Sequence, residues 1–173
     1  MKGLGRTGVG LMGAMAIVAC NQTTLNTTLN TYDATATVTY TWQASYTQRS
    51  SPDRPNDTRI EQFESVSLVN QNGLQPPASV TGPDSRGLWW PALPSEPTVD
   101  ELESRLQQGE QHTLPELIKS VAYAITVDQV GTVATLPTNH NVYRAVAKAY
   151  PNQRPLEITY GPRDESVINA EIR

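Results

Sequence analysis

The chain has 173 residues, of which 17% are charged, and a formal net charge of −4 at pH 7. This length suits one domain with a sizeable hydrophobic core. The acidic balance excludes the basic face or stripe that marks nucleic-acid binding, so no nucleic-acid partner is expected. It also argues against electrostatic docking to anionic lipid.

The first nineteen residues have the layout of a secretory signal. Lys2 and Arg6 give a short positive start, and residues 7–19 carry no charge and are largely apolar. A bilayer core needs about 20 consecutive apolar residues, so a transmembrane anchor is the weaker interpretation.

The signal ends in Ile17-Val18-Ala19-Cys20, which resembles the lipobox of bacterial lipoproteins. The resemblance implies that the Cys20 sulfur receives a diacylglycerol, that the chain is cut before Cys20 and that the new amino group is acylated, for example with palmitate. It therefore implies export and a lipid anchor in a bacterial membrane, inner or outer. Asn21 stands where an Asp would retain the protein in the inner membrane of some bacteria. The alternative is an ordinary signal peptide with a chance Cys nearby.

The segment 20–31 is predicted to be the lipidated Cys and a flexible tether, because residues 21–31 read NQTTLNTTLNT. A short helix from Leu25 and Leu29 is the disfavoured alternative. Residues 32–173 are expected to form one domain. From Cys20 onward the chain has 17 acidic and 11 basic residues, and Cys20 is its sole Cys, so no disulfide is expected.

Alternating residues predict two antiparallel strands in the first half of the domain. Over 34–47, Ala, Val, Tyr and Trp alternate with Thr, Gln and Ser, and this length predicts a bend or bulge. The second strand covers 59–70, with Ile60, Val66 and Leu68 in alternation and Phe63 interrupting it. Asn72-Gly73 is a turn signal.

The second half combines helices and strands. Thr98 and Glu101 form a capping box for a helix to about residue 108, with Val99, Leu102 and Leu106 as its apolar stripe. Asn139 or Asn141 is expected to cap a second helix that ends at Pro151. The remaining expectations are a helical turn at 112–116, a strand at 119–127, a strand or loop at 130–136, and strands at 155–160 and 165–172. The predicted fold class is α+β: an antiparallel sheet of about five strands with two short helices packed on one face.

Trp89 and Trp90, inside the Pro- and Gly-rich segment 74–97, are the candidate ligand or partner contacts. Tryptophans serve as platforms for sugar rings and as anchors for partner proteins. The competing interpretation, which the sequence favours, is that both pack this segment onto the sheet.

No catalytic constellation, cofactor or metal site is expected. His112 and His140 are placed in loops without metal-ligand spacing, and Asp100, Glu101 and Glu103 suit the first turn of a helix. The first hypothesis is therefore a non-enzymatic, membrane-anchored binding or scaffolding domain of the cell envelope. A carbohydrate- or peptidoglycan-binding lipoprotein using Trp89 and Trp90 is the second, and a hydrolase with an unrecognised site is the third.

Overall fold

The computed structural model describes residues 26–48, 57–77, 80–129 and 131–173, and the account below concerns these ranges. The elements in chain order are β1 (Asn26–Leu29), β2 (Tyr32–Gln48), β3 (Thr58–Gln71), β4 (Val80–Thr81), β5 (Trp90–Pro91), α1 (Val99–Ser104), β6 (Glu110–His112), β7 (Glu116–Gln129), β8 (Thr132–Thr138), α2 (His140–Ala149), β9 (Leu156–Tyr160) and β10 (Val167–Ile172).

Antiparallel sheets account for most of the fold. The large sheet has the strand order β3-β2-β7-β8, with β6 pairing the end of β2. A small sheet has the order β1-β9-β10, and β4 and β5 form a two-stranded ladder. The predicted antiparallel sheet is therefore confirmed. The helical share is small, because α2 is the one described α-helix longer than two turns.

The central strand β2 separates two faces of the large sheet. Its even-numbered side chains lie on the inner face, where Ala34, Ala36 and Val38 are fully buried. Its odd-numbered side chains, mostly Thr, lie on the outer face. The predicted strand over 34–47 is confirmed.

A bulge lies opposite Trp42, but it is in β3 and not within the strand 34–47, where the length of the segment predicted it. Thr41 pairs with Ser65 and Gln43 pairs with Gln62, so Phe63 and Glu64 share the space opposite one residue of β2. The extra residue shifts the alternation of β3. The grouping of Ile60 with Val66 and Leu68 was therefore wrong, and Ile60 lies on the outer face, 62% exposed.

One hydrophobic core fills the space between the inner face, α2 and the small sheet. From α2 it receives Val142, Tyr143, Val146 and Ala149. Asn139 is the N-cap, because its side chain accepts from the N–H groups of Asn141 and Val142. The helix ends at Ala149, and Pro151 lies in the following 3-10 turn.

The capping box of α1 is confirmed, but the helix is shorter than expected. It ends at Ser104 rather than near residue 108. Leu102 is buried against Ala44 and Tyr46, and the Tyr46 hydroxyl donates to the Leu102 carbonyl at 2.9 Å. The predicted stripe is wrong in its other members, since Val99 is 62% and Leu106 36% exposed.

The predicted helical turn at 112–116 is also wrong. β6 and β7 follow one another along the same side of β2, and the Thr113 N–H donates to the Ser45 carbonyl at 2.9 Å. Pro115 lacks an N–H, so it suits the break between the two strands. The segment 130–136, left open as strand or loop, belongs to β8 from Thr132 onward.

The flexible tether predicted for 20–31 is wrong for residues 26–29. Residues 26–29 form β1, which pairs with β9, and Leu29 is buried in the core at 3% exposure. Polar Thr and Asn suit a strand that is paired on one edge and buries a single side chain. Residues 20–25 lie outside the described residues.

Leu29→Ala tests whether β1 belongs to the folded domain. Truncating a buried Leu costs about 2–5 kcal/mol of unfolding free energy, because transfer energy and packing are both lost. The matched control is Leu114→Ala, since Leu114 is 83% exposed and such changes stay within about 0.5 kcal/mol. Denaturant unfolding measures the unfolding free energy of both variants. If Leu29→Ala costs as little as Leu114→Ala, residues 26–29 are not part of the folded domain.

Candidate functional site

Trp90 is part of the packing of the Pro-rich segment onto the inner face. Its indole N–H donates to Asp84 Oδ2 at 2.8 Å. Its ring lies 4.9 Å from the ring of Tyr40, measured between centroids. Lys119 Nζ lies 5.6 Å from the Trp90 ring and 5.3 Å from the Tyr40 ring. These contacts occupy the polar atom and one face of the Trp90 indole.

Trp89 is held through its backbone. The Asn70 side chain is fully buried, accepts from the Trp89 N–H at 2.7 Å and donates to the Trp89 carbonyl at 2.9 Å. Asn70 thereby pairs with this segment much as a neighbouring strand would. Both tryptophan side chains are half-buried, and their role as ligand contacts stays a prediction.

Asp84 organises the turn that precedes the tryptophans. Its Oδ1 accepts from the N–H groups of Arg86 and Leu88, both at 2.9 Å. Burial alone would raise the pKa of this carboxyl, but the hydrogen bonds from Trp90, Leu88 and Arg86 favour the charged form, and the pKa lies below its ordinary value. All three partners lie within six residues of Asp84, and Asp84 with Gly87 three residues later is a turn signal that could have indicated this role.

A cluster of charges lies near α1. Arg59 pairs with Glu110 at 2.8 Å and with Glu61, while its guanidinium carbon lies 4.4 Å from the centroid of the Tyr46 ring. The hydrogen bond from Arg59 is the main reason that the pKa of Glu110 lies below its usual value. This cluster joins β3, β6 and the end of α1, and every carboxylate in it has a basic partner. We assign it to the stability of that end of the sheet.

The remaining predicted residues do not converge. The two histidines were expected in loops, but His112 is the last residue of β6 and His140 is the first residue of α2. His112 lies beside Tyr46, and its Nδ1 is 2.9 Å from the Thr113 carbonyl oxygen. His140 lies beside Tyr123 at the start of α2, and its Nε2 is 3.2 Å from the Arg86 carbonyl oxygen. Within the described ranges, no group of three His, Cys, Asp or Glu side chains is arranged to hold a metal ion. Cys20 lies outside the described residues.

The outer face of the large sheet is exposed to solvent and is not covered by any described segment. Its central side chains are small or uncharged, and charged groups stand only at its margins: Asp33, Glu116 and Asp128. The face comprises Thr35, Thr37, Thr39, Thr41, Gln43, Ser45 and Thr47 of β2; Thr58, Ile60, Gln62, Ser65, Ser67, Val69 and Gln71 of β3; Ile118, Ser120, Ala122, Ala124 and Thr126 of β7; and Val133, Thr135 and Pro137 of β8.

Hydroxyl groups of this outer face bond to one another across the strands. Thr39 pairs with Ser67 and Thr41 pairs with Ser65, each at an oxygen–oxygen distance of 2.8 Å. Because these hydroxyls already have partners, removing water from them costs less than for unpaired hydroxyls. The apolar side chains of the face are well exposed, with Val69 at 53% and Val133 at 68%.

A shallow hollow of about 250 Å³ lies beside the turn between β1 and β2. Its lining is mixed and includes Tyr32, Asp33 and Tyr150. The Asp33 carboxylate accepts a hydrogen bond from the Asn72 side chain at 2.7 Å, so this carboxylate already has a partner within the protein.

Comparisons with protein families, curated proteins and solved structures found no match for this chain. Among the described helices none is long and apolar enough to cross a membrane.

Replacement of Asp84 tests its structural role through the pH dependence of stability. A carboxyl whose pKa is lower when folded adds stability above its ordinary value of 3.8, and this stability is lost as the pH falls through the lower, folded value. Asp84→Asn should therefore destabilise at neutral pH, and its difference from the wild type should shrink at acid pH.

Denaturant unfolding at a series of pH values measures this difference. Asp57→Asn, at an exposed position, is the matched control for removing a surface carboxylate. A cost of Asp84→Asn that is the same at every pH would contradict the role assigned to the charge.

Proposed function

We propose that this chain is a membrane-anchored lipoprotein whose domain binds or scaffolds another component of the cell envelope, without catalysis. The observation that carries the binding role is the outer face, which no described segment covers and whose centre carries no charged side chain. Asp, Glu, Lys and Arg are mostly found on protein surfaces and make up about a quarter to a third of a typical designed surface, so an exposed sheet centre without them is unusual. Here 17% of the whole chain is charged, yet the centre of a four-stranded face has no Asp, Glu, Lys or Arg.

We infer in addition that α1 and α2 act together as the cover of the inner face, as an α+β domain requires. α2 contributes four buried side chains to the main core. α1 contributes Leu102 against Ala44 and Tyr46, further along the same strand. The Pro- and Gly-rich segment 74–97 adds to this cover. Its Leu88 is fully buried, and its Trp90 packs against Tyr40. These contacts leave the outer face as the one that a partner could reach.

The position of β1 indicates how the outer face would be oriented relative to the bilayer. A lipid on Cys20 leaves residues 21–25 between the anchor and Asn26, a reach of roughly 20 Å when fully extended. Leu29 of β1 enters the core from the side of α2 and the small sheet. Anchoring through Cys20 would therefore hold that side close to the bilayer and leave the outer face accessible.

Cys20→Ala tests the anchor. We expect the variant to stay unlipidated, to shift in mature mass and to leave the membrane fraction, since a lipid chain adds about 0.8 kcal/mol of membrane affinity per buried CH₂. Fractionation and mass spectrometry of the full chain measure both, with globomycin treatment of the wild type as an independent block of signal cleavage. Unchanged mass and membrane association would reject the lipoprotein proposal.

Binding of glycan or peptidoglycan at Trp89 and Trp90 is the second candidate. Its support is geometric: Tyr40, Trp90 and Lys119 form a group of aromatic rings and a cation, and this group is not fully buried. If it binds sugars, muropeptides should shift the intrinsic fluorescence of the wild type, and Trp89→Ala or Trp90→Ala should abolish the shift. Trp42→Phe is the control for a third tryptophan, which donates to the Pro94 carbonyl. A flat titration would remove this candidate.

A further inference from the structure

We propose that the hollow beside the turn between β1 and β2 binds a small organic cation through an ammonium group. The hollow measures about 250 Å³, whereas pockets for drug-sized ligands measure about 300–1,000 Å³. It therefore suits a cation about the size of one sugar ring. The inference goes beyond the binding role proposed above, because it requires neither the outer face nor the lipid on Cys20.

The charge of the lining favours a cation. Of the six described residues that line the hollow, Asp33 alone is charged, and the others are Asn30, Thr31, Tyr32, Tyr150 and Gln153. Burial raises the pKa of the Tyr32 phenol, so this group stays neutral. A neutral ligand would cover the carboxylate without compensating its charge, and an anion would be repelled. A cation avoids both costs.

The Asp33 carboxylate is held in place through one of its two oxygens. Its Oδ1 accepts from the Asn72 side chain at 2.7 Å and from Gln71 Nε2 at 3.5 Å. Asn72 is itself fixed, since it is 1% exposed and its Oδ1 accepts from the Ala34 N–H at 2.7 Å. In the described part of the chain no group donates to Asp33 Oδ2. This oxygen is therefore available to a ligand, on a side chain whose orientation is already fixed.

The C-terminal end of α2 adds negative potential to the hollow. The helix ends at Ala149, and Tyr150 and Gln153 of the turn that follows line the hollow. The carbonyl groups at a helix C-terminus act as about half a negative charge, which favours a cation nearby. Lys148, the basic residue in the last turn of α2, is exposed and does not line the hollow.

Tyr150 gives the hollow an aromatic wall. Its side chain is half-buried and lines the same space as Asp33. An ammonium group in this space gains a charge-assisted hydrogen bond to the carboxylate and the attraction of the ring face for a cation. Asn30, Thr31 and Gln153 lie at the exposed rim, where their polar groups can bond the rest of the ligand.

Glucosamine and glucose are matched probes of this site. They differ in one substituent, which is an ammonium group in glucosamine at about pH 6, below the usual pKa range of amino groups. We expect glucosamine to bind about tenfold more tightly than glucose or better, as one charge-assisted hydrogen bond provides. Two-dimensional NMR of the full chain in nonionic detergent micelles measures both affinities, and the shifted amide signals should belong to residues 30–33 and 150–153.

Asp33→Asn should weaken glucosamine binding about tenfold and leave glucose binding unchanged. The fold should be retained, because the amide oxygen of this variant can still accept from Asn72. Asp128→Asn is the matched control, since it removes an exposed carboxylate at another margin of the outer face and changes the net charge equally. Tyr150→Leu keeps the carboxylate and should weaken glucosamine binding several-fold.

Equal affinities for glucosamine and glucose would overturn the proposal, because the hollow would then recognise a sugar ring and not a charge. Shifts that are absent at millimolar glucosamine, or equal affinities in Asp33→Asn and Asp128→Asn, would overturn it as well. If Asp33→Asn does not fold, the comparison of the two sugars and Tyr150→Leu still decide. Release of Cys20→Ala from membranes bears on none of these results, so the anchor and this site fail separately.

Discussion

The rest of the fold depends on the two-sided chemistry of β2. This strand pairs with β3 on one edge and with β7 and β6 on the other, so it fixes the register of the large sheet. Its even positions bury Ala34, Ala36 and Val38, and its odd positions hold Thr. Because side chains alternate, a slip of one residue would place Thr in the core and Val in water. The same alternation that creates the core therefore creates the uncharged outer face.

Two features hold the inner face together where simple alternation fails. The bulge at Phe63 and Glu64 lets β3 follow β2 past Trp42 while Phe63 remains inside. Asn70 supplies both a donor and an acceptor to the backbone of Trp89, so the Pro-rich segment is bound to the sheet without a full strand. Trp90 then packs on Tyr40 and donates to Asp84. This explains why half-buried tryptophans stand in a segment with little regular structure.

Local patterns predicted what depends on local physics. The capping box at Thr98 and the Asn139 cap are satisfied by neighbours in the chain. The alternation of 34–47 shows in the sequence because any sheet that is covered on one face imposes a period of two on its strands. The failures involve distant partners. Residues 26–29 are polar, and only pairing with β9 makes them a strand. The 112–116 segment is extended because β2 offers it an unpaired edge. The sequence likewise showed the outer face only as Thr at the odd positions of one strand. That the centre of this face lacks charged side chains could be predicted only by knowing which strands lie side by side.

The central claim is that adjacent residues of β2 belong to a covered and an open face, and the most direct measurement compares Thr37→Lys with Val38→Lys. Val38 is fully buried and Thr37 is partly exposed. Denaturant unfolding should show Thr37→Lys folded, within about 1 kcal/mol of the wild type, and Val38→Lys unfolded or destabilised by several kcal/mol. Similar costs at both positions would contradict the account.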